Sequence, residues 1–156
     1  MLGSAKEIRQ VLPACYIDAE VSRYVGGALD VAKDLDAQGK LGNIVVIALG
    51  TNGPIAGQER YEVQTRELLA YLGNERHIFW VNVYCPNLTW QNTNNEYLEN
   101  MAKEHSNVTI VDWYSLISNH PEWLVNDHIH PNDEGTVQYA KLLHDTMAQT
   151  LAVQTE

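Results

Sequence analysis

Short apolar runs alternate with amphipathic stretches along the whole chain. The most continuous run covers residues 43–49, is bounded by glycines, and predicts a strand buried on both faces, as in the middle of a parallel sheet. Three further segments rich in apolar or β-branched residues predict strands over residues 14–21, 77–84 and 108–112.

Apolar residues at helical spacing separate these runs. They predict helices over residues 22–38, 58–72, 93–105 and 133–151, with Gly39 and Gly73 where the first two should end. Strands and helices that alternate at these lengths predict one α/β domain over residues 1–156, a three-layer α/β/α fold with a parallel sheet and right-handed crossovers. In such sheets the chemistry lies in loops beyond the carboxyl ends of the strands.

Composition restricts the classes of partner and site. Ten Lys plus Arg against twenty Asp plus Glu give a net charge of −10, which disfavours nucleic acid and anionic membrane surfaces as partners. Cys15 and Cys85 lie in or beside apolar runs without a CxxC spacing, so we interpret them as buried free thiols. We expect no signal peptide or transmembrane segment within these residues.

The loop after the first buried run is a candidate site. It reads Gly50-Thr51-Asn52-Gly53-Pro54, where small residues allow a sharp turn. Asn52 would then project an amide N–H, which is a good donor to a developing oxyanion. The same residues also suit a plain strand-to-helix turn with the asparagine in a left-handed conformation.

A second candidate site precedes the last helix. Asp127 and His130 are three residues apart, so the carboxylate can accept the imidazole Nδ1–H and leave Nε2 free as a base. A purely structural Asp–His pair is the alternative interpretation. Another alternative is a zinc site on Asp127, His128 and His130, which would need a further ligand from one of these residues: His105, Asp112, His120 or Asp133.

These two loops, in this order in an α/β chain, resemble the SGNH (GDSL-like) hydrolase superfamily. More narrowly the chain is similar to the extracytoplasmic C-terminal domain of OatA-type peptidoglycan O-acetyltransferases. The segments that carry the resemblance are Tyr16-Ile-Asp-Ala-Glu-Val-Ser-Arg23, Gly50-Thr-Asn-Gly53, Val111-Asp-Trp-Tyr114, His120-Pro-Glu-Trp123 and Asp127-His-Ile-His-Pro131. The resemblance implies a flavodoxin-like SGNH-hydrolase fold.

The resemblance also implies roles for individual residues. His130 is the general base, Asp127 orients it, and Asn52 donates to the oxyanion hole. Ser22 stands where the superfamily supplies a second, backbone donor to that hole. His128 has no assigned role, and neither a cofactor nor a metal is implied.

The implied reaction is acetyl transfer from an acyl donor to a muramoyl hydroxyl of peptidoglycan, through a serine ester. Two alternatives stay open: a carbohydrate or lipid esterase with water as acceptor, and a glycan-binding module without catalysis. Trp90 and Trp113 would stack on a sugar or belong to the core. The family pattern also implies an upstream membrane acyltransferase domain, which would tether this domain outside the cytoplasmic membrane.

The chain departs from the superfamily at its start. The nucleophilic serine belongs to a Gly-Asp-Ser motif after a first strand inside the sheet, and this sequence has neither. We therefore expect an N-terminally truncated domain that lacks the first strand, is poorly stable and is catalytically silent, with the serine encoded upstream of Met1. Ser4-Ala5-Lys6-Glu7 is typical of a capping box, which makes Ser4 a helix cap rather than the nucleophile.

Overall fold

Three parallel strands form the centre of the protein. The computed structural model describes residues 2–153, and its sheet has the order β1-β2-β3. The strands are β1 (Ile44–Ile47), β2 (His77–Val81) and β3 (Val108–Val111), in a register that places Val45 opposite Ile78 and Ile78 opposite Val108. The three predicted apolar runs therefore form the sheet, each with a shorter strand than predicted.

Helices cover both faces of this sheet. They are α1 (Ala5–Val11), α2 (Ala28–Ala37), α3 (Glu59–Leu72), α4 (Gln91–Glu104), α5 (Trp113–Ser118) and α6 (Asp133–Ala152), with short 3-10 turns at Leu2–Ser4, Val25–Gly27 and Pro121–Trp123. In β2, Trp80 packs with α2, α3 and α4, and Phe79 packs with α1, α5 and α6. This alternation buries both faces and confirms the three-layer α/β/α architecture.

Two predicted helix ends, at Gly39 and Gly73, are confirmed. Gly73 ends α3 with φ 71°, and Gly39 follows α2 with φ 66°, a left-handed conformation that glycine adopts without steric cost. The helix predicted from residue 22 begins later, because Ser22 itself has φ 60° and a 3-10 turn precedes α2. Within residues 2–153 no helix combines the length and hydropathy needed to cross a membrane.

The strand predicted over residues 14–21 is wrong. These residues alternate between half-buried and exposed from Cys15 to Glu20, as a strand does, but they pair with no other strand. A cavity of about 1090 Å³ is lined both by this segment and by β1. A strand forms only where a neighbour pairs with its backbone N–H and C=O groups. Among the described residues β1 pairs only with β2, so residues 14–21 do not join the sheet at β1.

The capping box predicted at Ser4 is wrong, because its side-chain hydrogen bond does not form. Helix α1 does begin at Ala5, but the Ser4 hydroxyl makes no capping hydrogen bond. The preceding 3-10 turn gives Ser4 φ −101° and ψ 10°, whereas a capping side chain usually needs an extended backbone. Ser4 is instead buried at 2% exposure and lines the cavity.

Both cysteines are free thiols, as predicted. Cys85 is fully buried, and burial raises the pKa of its thiol to about 11, so it stays protonated and unreactive near neutral pH. Cys15 is only half-buried, against the expectation for both residues, because it lies on the unpaired segment.

Candidate active site

Asp127 and His130 form a hydrogen-bonded pair in the loop before α6. The imidazole Nδ1–H donates to Asp127 Oδ2 over 2.7 Å, because an ionised carboxylate can only accept. The other carboxylate oxygen accepts the backbone N–H groups of Ile129 at 2.8 Å and His130 at 2.9 Å. These backbone bonds, followed by the imidazole, lower the pKa of Asp127 to about 2. The carboxylate is therefore ionised at any pH at which the imidazole can act as a base.

The loop that carries the pair is closed by backbone hydrogen bonds. Val125 N–H donates to the His130 carbonyl over 2.9 Å, and Leu124 forms an isolated antiparallel bridge with Pro131. His128, at the tip, has φ 59° and donates its N–H to the Val125 carbonyl. The pair is thus held at a fixed position although the His130 side chain is 75% exposed.

The same loop is anchored to the first turn of α6. Asn132 caps that helix by accepting Gly135 N–H at 3.0 Å, and its amide donates to the Glu122 carbonyl at 2.8 Å. Its backbone N–H donates to the Trp123 carbonyl at 2.8 Å. The 3-10 turn Pro121–Trp123 is therefore hydrogen-bonded to the loop that carries Asp127 and His130, and the Trp123 ring stacks on His120 at 3.8 Å between centroids.

Gly135→Ala is expected to disturb this support. A Cβ at Gly135 would lie 2.2 Å from the Trp123 carbonyl oxygen and 2.9 Å from Pro131 Cβ, so backbone must move. We expect a loss of about 1–3 kcal/mol in the free energy of unfolding, measured by urea denaturation. Gly42→Ala is the control, because its Cβ would meet nothing closer than 3.8 Å. Equal urea midpoints for the two variants would contradict the role of this contact.

Asn52 and Ser22 lie on two loops that touch each other. The Asn52 amide donates to the Arg23 carbonyl over 3.3 Å, which places it beside the residue that follows Ser22. Ser22 has φ 60°, a conformation that is uncommon for a residue other than glycine and often accompanies functional sites. The Arg23 guanidinium fixes this loop by pairing with Asp18 and Glu20.

The large cavity brings the candidate residues to one place. Asn52, Ser22 and His130 all line it, together with β1. The side chains of Asn52, Ser22 and His130 are all exposed, so a substrate can reach them from solvent. The arrangement combines a base with a fixed tautomer, an amide donor and an accessible cleft.

The two candidate tryptophans lie in different environments. Trp90 is half-buried and donates its indole N–H to the Thr51 carbonyl over 3.3 Å, so it contacts the loop that carries Asn52. Trp113 is only 5% exposed and meets the Tyr139 ring edge to face at 5.1 Å between centroids. Trp113 is therefore a core residue that also lines the cavity.

The zinc alternative finds no ligand set in the part of the chain that the structure describes. Within residues 2–153 no group of three or more His, Cys, Asp or Glu side chains could hold a metal ion. His120 is engaged with Glu122 at 2.9 Å instead. Asp112 accepts from Ser115 N–H as the cap of α5 and from the Asn82 amide at 2.7 Å.

Sequence reasoning missed the buried amide side chains that organise these loops. Asn82, which follows β2, also accepts Tyr114 N–H over 2.7 Å and so joins the ends of β2 and β3. Three more amides, on α4, hold the loops after β1 and β2: Gln91, Asn94 and Asn95. Their spacing of three and four residues was the available signal, because it places all three on one helix face.

The chain is similar to known proteins over nearly all of its length. It is 31% identical to the YrhL protein of Bacillus subtilis and 30% identical to the peptidoglycan O-acetyltransferase OatA of Listeria monocytogenes, in each case over 94% of this chain. The matched part is 22% of each relative, so the chain spans about a fifth of their length. No protein-family model matches it.

The fold also matches a solved structure, the C-terminal catalytic domain of Streptococcus pneumoniae peptidoglycan O-acetyltransferase A (OatA), which carries a methylsulfonyl adduct. The TM-score is 0.78 over 97% of this chain and 87% of that domain, at 26% sequence identity. The resemblance and fold class predicted from the sequence are therefore confirmed. The chain is thus similar to one part of the OatA-type peptidoglycan O-acetyltransferases and has the SGNH-like fold of an OatA C-terminal catalytic domain.

Proposed function

We propose that this domain transfers an acetyl group to a muramoyl hydroxyl of peptidoglycan through an acyl-serine intermediate. The observation that carries the proposal is that His130, paired with Asp127, lines the same cavity as Asn52, in a fold shared with an OatA catalytic domain. The names of the relatives, peptidoglycan O-acetyltransferases, support the acceptor class.

In this mechanism His130 Nε2 removes the proton from a serine hydroxyl as its oxygen attacks the acyl carbonyl. The Asn52 amide and the backbone N–H of Ser22 donate to the oxyanion that forms, and such a donor contributes about 10²–10³-fold in kcat. His130 then gives its proton to the leaving group. The acceptor hydroxyl, deprotonated by the same imidazole, attacks the acyl-serine, the ester bond to the serine oxygen breaks, and that oxygen takes the proton back from the imidazolium. Asp127 stabilises the imidazolium in both half-reactions.

The serine is proposed to come from an extended segment that occupies the cavity beside β1. Apolar side chains of α1, α2 and α6 line this cavity from both layers, which suits a strand buried on both faces: Ile8, Val31, Leu35, Leu143 and Met147. A strand parallel to β1 would end at the same sheet edge as β1, beside Asn52. A serine directly after that strand would then face His130.

Ester hydrolysis is the second candidate function. Because the His130 side chain is 75% exposed, water can reach the position from which an acceptor hydroxyl would attack. The two functions share the acyl-enzyme and differ only in the acceptor. A glycan-binding module without catalysis is the third candidate. It would be favoured if no serine lies beside His130 in the cavity.

Product analysis separates these functions. The protein, together with any in-frame upstream sequence, is incubated with 4-nitrophenyl acetate with and without a muropeptide acceptor, and products are identified by mass spectrometry. Acetylated glycan supports transfer. Faster release of acetate without acetylated glycan supports the esterase, and glycan binding without turnover supports the binding module.

The proposal extends to the wider setting of the domain, and the length of its relatives supports it. The chain corresponds to about a fifth of proteins that are about 4.5 times longer. The proposal includes an upstream membrane acyltransferase domain as the partner that supplies the acyl group. It places this domain at the outer face of the bacterial membrane, next to the peptidoglycan that relatives are named for modifying. No part of the proposed mechanism requires a metal or cofactor.

A further inference from the structure

The first turns of α4 bury amide groups on a face that would ordinarily be apolar. Asn94 has 0% exposure, and Gln91 and Asn95 have 8% and 9%. Burying an amide is costly unless its hydrogen bonds are made, since an unmade bond costs about 1–3 kcal/mol. Each of these side chains bonds to backbone in a loop that follows a strand.

Asn94 uses its whole hydrogen-bonding capacity on the loop that carries Asn52. Its Nδ2 donates to the carbonyls of Gly50 at 3.0 Å and Gly53 at 3.1 Å. Its Oδ1 accepts the N–H groups of Ile55 at 2.7 Å and Ala56 at 3.2 Å. Residues 51 and 52 therefore lie between two carbonyls that are held by one fixed amide.

Close packing at Gly50 also restricts this loop. Gly50 has φ 122°, and a Cβ there would lie 2.8 Å from the Val83 side chain and 3.4 Å from Asn94 Nδ2. Trp90, the residue before α4, adds the hydrogen bond from its indole to the Thr51 carbonyl. The segment around Asn52 is thus attached to the start of α4 at several points.

We infer that Asn94 is a positioning residue that aims the Asn52 amide at the oxyanion. The inference rests on the proposed function for the role of Asn52, but the contacts that carry it are independent of that role. A displacement of about 1 Å in a catalytic group can cost on the order of 10²-fold in rate. Asn94 acts by preventing such a displacement and touches no reacting atom.

Asn95 provides a matched control on the same helix. It is also buried and makes two short bonds, accepting Val83 N–H at 2.7 Å and donating to the Val83 carbonyl at 2.8 Å. Its loop carries none of the candidate catalytic residues. Substituting Asn95 therefore imposes a similar loss of buried hydrogen bonds but leaves all four bonds between Asn94 and the Asn52 loop in place.

The test compares Asn94→Asp, Asn94→Ser and Asn95→Ser. Asp at position 94 keeps the acceptor to Ile55 and Ala56 but turns an oxygen towards the two glycine carbonyls, which repels them, whereas Ser removes the amide from both halves. The first readout is the side-chain amide resonance of Asn52 in 15N-labelled 156-residue chain. We expect it to shift or broaden in both Asn94 variants and to stay in place in Asn95→Ser.

The second readout is the hydrolysis of 4-nitrophenyl acetate, measured in the chain extended ahead of Met1 by five β-branched residues and Gly-Asp-Ser-Val. We expect kcat to fall about 10–100-fold in both Asn94 variants with KM within about threefold of wild type. Asn95→Ser should lose comparable thermal stability but keep kcat. Unshifted Asn52 resonances together with wild-type kcat in Asn94→Asp would overturn the inference. Wild-type protein without activity would instead count against the proposed function, and the resonances alone would then decide the role of Asn94.

Discussion

Adding an apolar strand ahead of Met1 is expected to produce a more stable protein that cleaves esters. The designed extension has five β-branched residues followed by Gly-Asp-Ser-Val, joined directly to Met1. Without the extension we expect the protein to unfold below ~55 °C. This temperature is the middle of the range of about 45–65 °C in which complete mesophilic domains unfold. With the extension the five residues fill the cavity beside β1 and hydrogen-bond to its free edge.

The expected gain in stability is the free energy gained by burying the added side chains minus the free energy lost by ordering the added residues. Each buried aliphatic side chain contributes about 1.5–3 kcal/mol, and ordering each residue costs about 1.5 kcal/mol. Burial and the hydrogen bonds to β1 together must exceed the ordering cost of all nine added residues, and a net gain of about 2 kcal/mol corresponds to a rise in Tm of about 4–8 °C for a domain of this size. Circular dichroism measures this shift, and release of 4-nitrophenol from 4-nitrophenyl acetate measures the activity.

Two control extensions make the result decisive. The same extension with alanine in place of its serine should give the full rise in Tm and no hydrolysis. An extension with proline at the middle of the strand should give neither, because proline lacks the N–H that pairs with β1. Equal stabilisation by the proline extension would show that the segment does not join the sheet.

Local sequence predicts the parts of this protein whose contacts are local or whose burial is complete. The run that forms β2 is apolar from Ile78 to Val81 and all four residues are buried, as in a strand covered on both faces. The Asp127–His130 hydrogen bond joins residues three apart, so the spacing itself indicates it. Both features could be found without knowing what else the chain contacts.

The features that sequence analysis missed depend on distant neighbours. Residues 14–21 have strand composition, yet pairing is decided by whether another strand lies next to them. Asn94 contacts residues about forty positions away, so the sequence predicts its helix but not these hydrogen bonds. Ser4 has the sequence of a cap, but the preceding 3-10 turn sets a backbone in which its side chain does not cap.

Replacing Asp127 by asparagine is expected to remove catalysis while leaving the fold intact. An asparagine Oδ1 can still accept the N–H groups of Ile129 and His130, so the loop keeps its backbone bonds. Its NH₂ group, however, faces His130 Nδ1 and favours the tautomer with the proton on Nε2. The base is then lost, and we expect kcat to fall about 10³–10⁴-fold with Tm within about 2 °C of wild type.

The pH dependence of the unfolding free energy separates the effect of Asp127 on catalysis from its effect on stability. The folded-state pKa of Asp127 is about 2, below its ordinary 3.8, so its charge adds stability above about pH 4 that is lost as pH falls towards 2. The difference in unfolding free energy between wild type and Asp127→Asn should therefore shrink across that window, measured by urea denaturation. Asp133→Asn, an exposed carboxylate six residues along, is the control and should keep kcat. If Asp127→Asn retains kcat within about tenfold, the pair is structural and His130 is not oriented by it, because a base in the wrong tautomer cannot accept the serine proton.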